Sequence, residues 1–366
     1  MKRVLIADAV RTPWGKPGKS LERFLSSDLS APLLKELLKR TGVAPEAVDQ
    51  VIFGQAHPST YPNNIGHYAW LKAELPVEVP GYTVQANTAS ALQALRNAYY
   101  LIASGNEGLC IAGGADSYST APFVMRDVRN HFYPQHRMVI DSLDEAEQCT
   151  QPQPMTRKDQ YEAVYSKSLS DAAAAFMVCS REKAARYAAS AVDIVSLSYT
   201  DRKKGEILIS VDEWLSSPSE DALAPYADGA AVMMLIGEDK AAELGVTAKA
   251  ELLGFAVAGC DPRNPQAAGA PVIRKLLERK GITLDDVAVL EIIENSAEDV
   301  FATVAALGTD LPVNPMGGAL AFGKNDGAEG IFMVQRLVEA LKSGETGIAC
   351  IYSAGGQSVA ALVKKL

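Results

Sequence analysis

LLKRTGVAPEAV (37–48) and LLERKGITLDDV (276–287) match at one offset of 239 positions, which pairs Leu37 with Leu276, Arg40 with Arg279, Gly42 with Gly281 and Val48 with Val287. The same offset carries Ser104-Gly105 onto Ser343-Gly344 and Gly108 onto Gly347, and after a short slip Gly113-Gly114 falls on Gly355-Gly356. A chain that repeats itself in register over this distance is built from two copies of one folding unit. Each copy predicts a helix ending in Gly, a strand, a turn, a buried helix of small residues and a further strand ending in a Gly-Gly pair. Helical stretches at 31–40, 89–104, 271–280 and 329–342 alternate with apolar runs at 3–8, 50–54, 109–113, 287–293 and 347–353. That alternation is the pattern of an α/β fold.

The repeat also brings two turns into correspondence. TVQANTASALQAL (83–95) leaves a β-like run and enters an alanine-rich helix, and GKNDG (323–327) stands at the equivalent place in the second copy. Each opens the central helix of its half. Helix N-termini carry unsatisfied amide donors and the positive end of the dipole, so the pair predicts a site between the halves for an anionic or carbonyl oxygen. Asn87 and Thr88 are expected to cap the first of these helices through its free amides.

Composition narrows the partners. With 366 residues, 48% of them hydrophobic, the chain buries a sizeable core in two domains or one two-part domain. A net charge of −9 argues against a nucleic-acid partner. Arg126, Arg129, His131, His136 and Arg137 crowd one segment, which is expected to be a solvated loop, with a ligand's phosphate as the alternative. No apolar run is long enough to span a membrane, and MKRVLIADAVRT lacks the apolar length and cleavage site of a signal peptide, so the expected location is cytoplasmic. The five cysteines (Cys110, Cys149, Cys179, Cys260, Cys350) have no metal-ligand spacing, and reduced thiols with no structural metal are expected. GALAFGKN (318–325) approaches a phosphate-binding loop but ends in Asn325 instead of a hydroxyl residue.

Six separated segments, in order, resemble the thiolase family. ADAVRTPWGKPGKSL (7–21) looks like its N-terminal "AVRTPxGxxxGxL", LKAELPVEVPGYTV (71–84) like "LKAGLPxxVPxxTV" and AGGADSYSTAPF (112–123) like "AGGxExMSxAPY". MTRKDQYEAVYSKSLSDAAAA (155–175) is similar to "xTREEQDxFAxxSxxxAxxA", and DGAAVMMLIGEDKAAELG (228–245) to "DGAAAxxLxSExxAxxLG". VNPMGGALAFGKNDGAEG (313–330) matches the region that holds the family's Gly-His-Pro. The resemblance implies two βαβαβαββ halves in a five-layered α-β-α-β-α body, assembled as a homodimer or tetramer. It places residues 1–117 in the first part of the N-terminal half, 118–205 in a loop region, 206–246 in the completion of that half and 247–366 in the C-terminal half.

Thiolases make or break the carbon–carbon bond of 3-ketoacyl-CoA. In the family a cysteine at the start of the first central helix is acylated, its thiolate favoured by the helix dipole. The His of Gly-His-Pro activates it and, with a water held by the Asn of Asn-Glu-Ala-Phe, stabilises an oxyanion. A second cysteine, in a Cys-x-Gly turn, moves the proton of the attacking acetyl group. This chain departs at each position. Thr88 stands at the first cysteine and Ala89-Ser90-Ala91 follows it; Gly323-Lys324-Asn325 replaces Gly-His-Pro; Ile293-Glu294-Asn295-Ser296 replaces Asn-Glu-Ala-Phe; Tyr352 or Ser353 stands at the second cysteine. The family's "HMGxTAE" stretch is replaced by EAEQCTQPQP (145–154), within the region expected to cover CoA.

The positions matching the family's catalytic residues are therefore Thr88, Glu294, Lys324 and Tyr352, with Ser90, Asn295, Asn325, Ser353 and Gly355 lining the substrate. A threonine nucleophile needs an adjacent base, and Lys324 is charged unless buried. Glu294 and Lys324 are expected to form an ion pair or to act chemically. His67 and His57 are assigned to packing or the surface. The expectation for function is a thiolase-like, acyltransferase-related protein that has lost cysteine-dependent thiolysis and Claisen condensation. It binds an acyl thioester (a CoA thioester as ligand, no resident cofactor) or serves as partner subunit to a second thiolase chain or a small accessory subunit. The alternative is an enzyme of the same cleft with changed chemistry, an acyltransferase using an oxygen nucleophile or a retro-aldol lyase using Tyr352, Lys324 and Glu294.

Overall fold

The computed structural model describes residues 1–58, 61–126, 128, 138–148, 182–186, 193–201, 205–210, 212–213, 223–262 and 264–366. Arg129, His131, His136, Arg137, Cys149, Cys179, the 155–175 segment and all of EAEQCTQPQP after residue 148 lie outside these residues. The strands are β1 (Val4–Arg11), β2 (Gln50–Gly54), β3 (Gly81–Val84), β4 (Leu109–Asp116), β5 (Phe123–Val124), β6 (Ile140–Asp141), β7 (Leu197–Asp201), β8 (Gly205–Ile209), β9 (Gly229–Gly237), β10 (Ala250–Gly259), β11 (Val289–Ile292), β12 (Thr346–Ser353) and β13 (Gln357–Lys365). The helices are α1 (Ser26–Thr41), α2 (Ile65–Lys72), α3 (Ser90–Ser104), α4 (Ser142–Gln148), α5 (Glu238–Leu244), α6 (Gly269–Lys280), α7 (Ala297–Leu307), α8 (Ala319–Phe322) and α9 (Glu329–Ala340).

Local chemistry explains the repeated elements. In α1, Leu29, Leu33, Leu34 and Leu37 form one buried face, and the helix stops at Gly42 with φ +67°. In α6, Val272, Ile273, Leu276 and Leu277 do the same, and Gly281 stops it with φ +65°. Only glycine adopts that left-handed conformation without steric cost. Strands β1, β4 and β9 are buried along their whole length, which requires cover on both faces and explains their nearly unbroken apolar sequences.

Among the described residues, nine strands form one sheet in the order β11-β12-β13-β10-β1-β9-β4-β2-β3. Outward from its centre the N-terminal half runs β1, β9, β4, β2, β3 and the C-terminal half β10, β13, β12, β11. The halves join where β1 and β10 pair antiparallel, with Leu5 opposite Glu251. A parallel bridge between Leu290 and Val313 occupies the place that β3 takes beside β2 in the N-terminal half. Helices α1 and α2 cover one outer face, α6 and α7 the other, and α3 and α9 lie between the two halves of the sheet, giving the five layers of the expected fold.

The offset of 239 is kept in three dimensions: α3 opens at Ser90 and α9 at Glu329, β2 at Gln50 and β11 at Val289, and the single turns Pro45–Ala47 and Leu284–Asp286 correspond. The glycine pairs do not. Gly113 and Gly114 lie inside β4, whereas Gly355 and Gly356 form the turn after β12 with φ +83° and +72°. The first pair is there for close packing and the second for backbone conformation, so their likeness in sequence is coincidental.

The central layer depends on small residues. A Cβ on Gly330 would lie 2.4 Å from the Leu92 nitrogen, and one on Gly114 would lie 1.9 Å from the Gly327 carbonyl oxygen. Helix α9 is also fastened to β11 by a buried ion cluster, in which Arg336 binds Glu291 and Glu329, each at 3.2 Å.

Two outcomes follow. Gly330→Ala forces α3 and α9 apart and is expected to lower stability by about 1–3 kcal/mol in urea unfolding. Burial pushes Glu291 up to about 8 and Glu329 up to about 7, against the pull of Arg336. Both folded values lie above the ordinary carboxylate value, so the stability these groups contribute is fully present below that value and is lost as pH rises through about 7 and 8. The unfolding midpoint is expected to fall across that window, and Glu329→Gln to flatten the fall. A midpoint indifferent to pH there would refute this account of the cluster.

Candidate active site at the junction of the two halves

The turn before α3 is built by its own side chains. Asn87 takes φ +51°, a left-handed conformation that asparagine tolerates. Ser90 Oγ accepts the Ala86 amide at 2.8 Å and donates to the Asn87 carbonyl at 2.5 Å, so Ser90 locks the turn. The helix is not capped as expected: its first flanking residue, Ala89, makes no side-chain cap. Asn87 and Thr88 reach across to the other half instead. Asn87 Nδ2 donates to the Ala354 carbonyl at 3.0 Å, and Thr88 Oγ1 donates to Asp326 Oδ1 at 2.7 Å.

Asp326 is the centre of the junction. Besides Thr88, its Oδ1 meets Lys324 Nζ at 2.8 Å, while its Oδ2 accepts from the Tyr118 hydroxyl at 2.8 Å and faces His57 Nε2 at 3.4 Å. Burial alone would raise its pKa, but the charges and hydrogen bonds of Lys324 and His57 hold it well below the ordinary carboxylate value. For His57, burial works against the charged form, but the hydrogen bond to Asp326 and the nearby Asp116 and Asp326 charges outweigh it and raise the pKa. Asp116, which accepts the Ala56 and His57 amides, is pushed by burial up to about 6. Lys324 also donates to Asn295 Oδ1 at 3.0 Å and lies 5.4 Å from the Tyr226 ring centre.

The remaining predicted site residues are placed differently. The Glu294 carboxylate accepts from Asn314 Nδ2 at 2.8 Å and from the Leu320 amide at 2.9 Å, which holds the 314–320 loop. Asn325 ties three segments together: it donates to the Asp116 and Ala227 carbonyls at 2.8 and 2.7 Å and accepts the Asp116 amide at 3.1 Å. Tyr352 is fully buried, and its hydroxyl donates to the Ile293 carbonyl at 3.3 Å. Ser353 is buried at the end of β12, and Gly355 forms the turn beyond it. The structure thus gathers Thr88, Lys324 and Asn295 around Asp326, and gives Glu294, Asn325 and Tyr352 scaffolding bonds.

Four members of the junction escaped the sequence reading: His57, Asp116, Tyr118 and Tyr226. Asp116 and Tyr118 stand inside AGGADSYSTAPF, where they read as part of a fold motif. His57, expected in packing or at the surface, has a side chain that is 18% exposed and bonded to Asp326. Of the described cysteines, Cys260 is partly buried beside the turn after β12, its amide donating to the Gly356 carbonyl at 2.8 Å. Cys110 and Cys350 are buried in strands β4 and β12, where burial pushes both thiols well above their ordinary value, Cys350 to about 12.

Family models for the thiolase N-terminal domain and the thiolase C-terminal domain match residues 4–239 and 246–365. The chain belongs to the thiolase family. It is 32% identical to the β-ketoadipyl-CoA thiolase of Pseudomonas putida over 403 residues, covering 100% of both chains. It is 30% identical to a probable acetyl-CoA acyltransferase of Staphylococcus aureus over 406 residues, again covering 100% of each. Its fold superimposes on the Bacillus anthracis acetyl-CoA acetyltransferase with a TM-score of 0.92 at 28% identity, covering 100% of this chain and 99% of the other. An Ascaris suum thiolase solved with coenzyme A gives a TM-score of 0.89 at 26% identity, with both chains covered in full. The thiolase fold therefore carries this junction, and no helix among the described residues is long and apolar enough to cross a membrane.

Replacing Asp326 with Asn removes the charge that balances Lys324 and His57. Asp326→Asn is expected to cost about 3–5 kcal/mol in denaturant unfolding, because it leaves buried cations uncompensated. Proton NMR of the imidazoles, with His57 assigned by His57→Gln, is expected to show the His57 pKa falling. An unchanged His57 titration would show that Asp326 is not what holds it.

Proposed function

We propose that this thiolase-family protein handles acyl thioesters without cysteine-based thiolysis, as an acyl-thioester-binding protein or the partner subunit of an active thiolase chain. The observation that carries the reading is the 2.7 Å bond from the Thr88 hydroxyl to Asp326. A hydroxyl attacks a thioester only if a base takes its proton. Asp326 is a poor base because Lys324 and His57 hold its pKa well below the ordinary carboxylate value. Lys324 is itself engaged with that carboxylate in an ion pair at 2.8 Å. What the junction retains is donors, the Lys324 amine and the His57 imidazole, both suited to a thioester carbonyl oxygen.

The relatives' names favour a second reading, acyl transfer from CoA. In that reaction Thr88 Oγ would bond to the thioester carbon, the carbon–sulfur bond would break, and CoA would leave as the thiol carrying the hydroxyl proton. A retro-aldol lyase receives less support, since the Tyr352 hydroxyl and the Glu294 carboxylate are both engaged by the scaffold.

The test is calorimetric titration of the pure protein with acetyl-CoA and acetoacetyl-CoA, followed by intact-mass spectrometry and assay of free CoA thiol. Binding with no added acyl mass and no released CoA is the expected result. An acyl group on Thr88 or Ser90 would establish the second reading and overturn the first. Co-purification with a second thiolase chain would distinguish a partner subunit from a free-standing binding protein.

A further inference from the structure

A groove of about 560 Å³ lies at the amino ends of β11 and β12, the edge of the sheet opposite to the junction. Leu253, Ile282, Val287 and Leu362 line it with apolar surface, and Asp285, Asp286 and Glu345 stand around it. The duplication shows what occupies the same place in the first half. Ile236 pairs with both Leu5 and Leu109, and Lys364 pairs with Glu251 and Thr346 in the same way. A bulge follows in each ladder, at Ala7 and at Leu253. This register equates Leu253 with Ala7 and Leu362 with Met234, while the offset of 239 equates Ile282 with Val43 and Val287 with Val48. Ala7, Val43, Val48 and Met234 are buried in one cluster with Ala241 of α5, and Val246 and Ala248 pack against it. A short helix and the segment after it therefore cover this place in the first half. In the second half it is an open groove in which Leu253 and Ile282 stay half-buried.

The charges say what kind of helix fits. Lys240 of α5 passes over Gly108, where a Cβ would lie 3.5 Å from its Cγ. Gly108 and Glu345 each precede the residue that opens β4 or β12, so a basic residue at the Lys240 position of a helix in the second groove meets a carboxylate. Asp285 is exposed beside it, and the nearby Lys280 is turned away to donate to the Leu253 carbonyl. Apolar grooves with charged rims take amphipathic helices of the opposite charge, the apolar face supplying burial and the rim fixing register. We propose that this groove docks a short amphipathic helix of a partner protein, with a narrow face of Ala and Val flanked by Lys or Arg, in the position that α5 takes in the first half. The surface is separate from the junction, and the inference stands independently of the acyl-thioester reading.

The probe is a fluorescein-labelled peptide of residues 238–248 carrying Glu238→Lys, Asp239→Lys and Glu243→Lys, and its control is a scrambled peptide of the same composition. Anisotropy titrations use the full chain as wild type, as Asp285→Lys with Glu345→Lys, and as Ile282→Ser. Circular dichroism melts confirm that each variant is folded, and one variant serves if the other does not fold. The wild type is expected to bind the ordered peptide at least roughly tenfold more tightly than the scrambled one, and each variant to lose most of that difference. Equal binding of the two peptides would reduce the effect to net charge and overturn the inference, as would no binding at about 1 mM peptide or a preference that survives in both variants. Sedimentation velocity tests the other occupant. Wild type and charge variant are expected to form the same assembly, whereas an assembly that loses a stage in the variant would place a second copy of this chain in the groove and overturn the partner helix.

Discussion

The close approach of the two halves along their central helices is the constraint from which the rest of the molecule follows. Where Gly330 meets Leu92 and Gly114 meets the Gly327 carbonyl, there is no room for a β-carbon. Contact this tight fixes the positions of α3 and α9 relative to one another and turns both of their N-termini towards one small volume. Two positive helix ends near each other repel, and Lys324 and His57 add cationic character to the same place. The Asp326 carboxylate, bonded from both halves, offsets that accumulation.

The placement of Asp326 also decides what the junction can do. A carboxylate that accepts from Thr88, Lys324, Tyr118 and His57 has its lone pairs engaged and its negative charge stabilised. It organises its neighbours and is for the same reason a weak base. Asp116, a few residues away in space, has the opposite balance: burial dominates and its pKa rises to about 6. Two buried carboxylates in one site, pushed apart by their surroundings, hold an anion beside a group that titrates near neutrality. The electrostatics of the junction are set by paired charges around an engaged hydroxyl, with the Cys110 and Cys350 thiols buried in β4 and β12.

The duplicated architecture is regular in its scaffold and divergent at its centre. Helices α1 and α6 end in equivalent glycines, and β2 and β11 start at the same offset. Residues that correspond between the two turns have taken different tasks: Ser90 locks its own turn, whereas Glu329, which opens α9, is bound to Arg336 in a buried ion cluster. Glu294, which matched a family position, holds a loop. A duplicated fold tolerates this because its stability comes from the repeated apolar faces, and the loops at the strand ends vary without disturbing them.

The sequence by itself determined the α/β character, the duplication, its offset and the membership in a fold of five layers. Apolar periodicity and the glycines that end helices are local signals, and both halves carry them. It also placed Thr88 and Lys324 at the junction, because they fall inside matched motifs of known order. Only the tertiary structure decided that Thr88 bonds to Asp326 instead of capping its helix, that Tyr352 and Glu294 are scaffolding, and that His57, Asp116, Tyr118 and Tyr226 belong to the site. Those partners lie as many as 269 positions apart along the chain, as for His57 and Asp326. Hydrogen bonds and pKa shifts depend on distance and burial, and no spacing along a sequence encodes either.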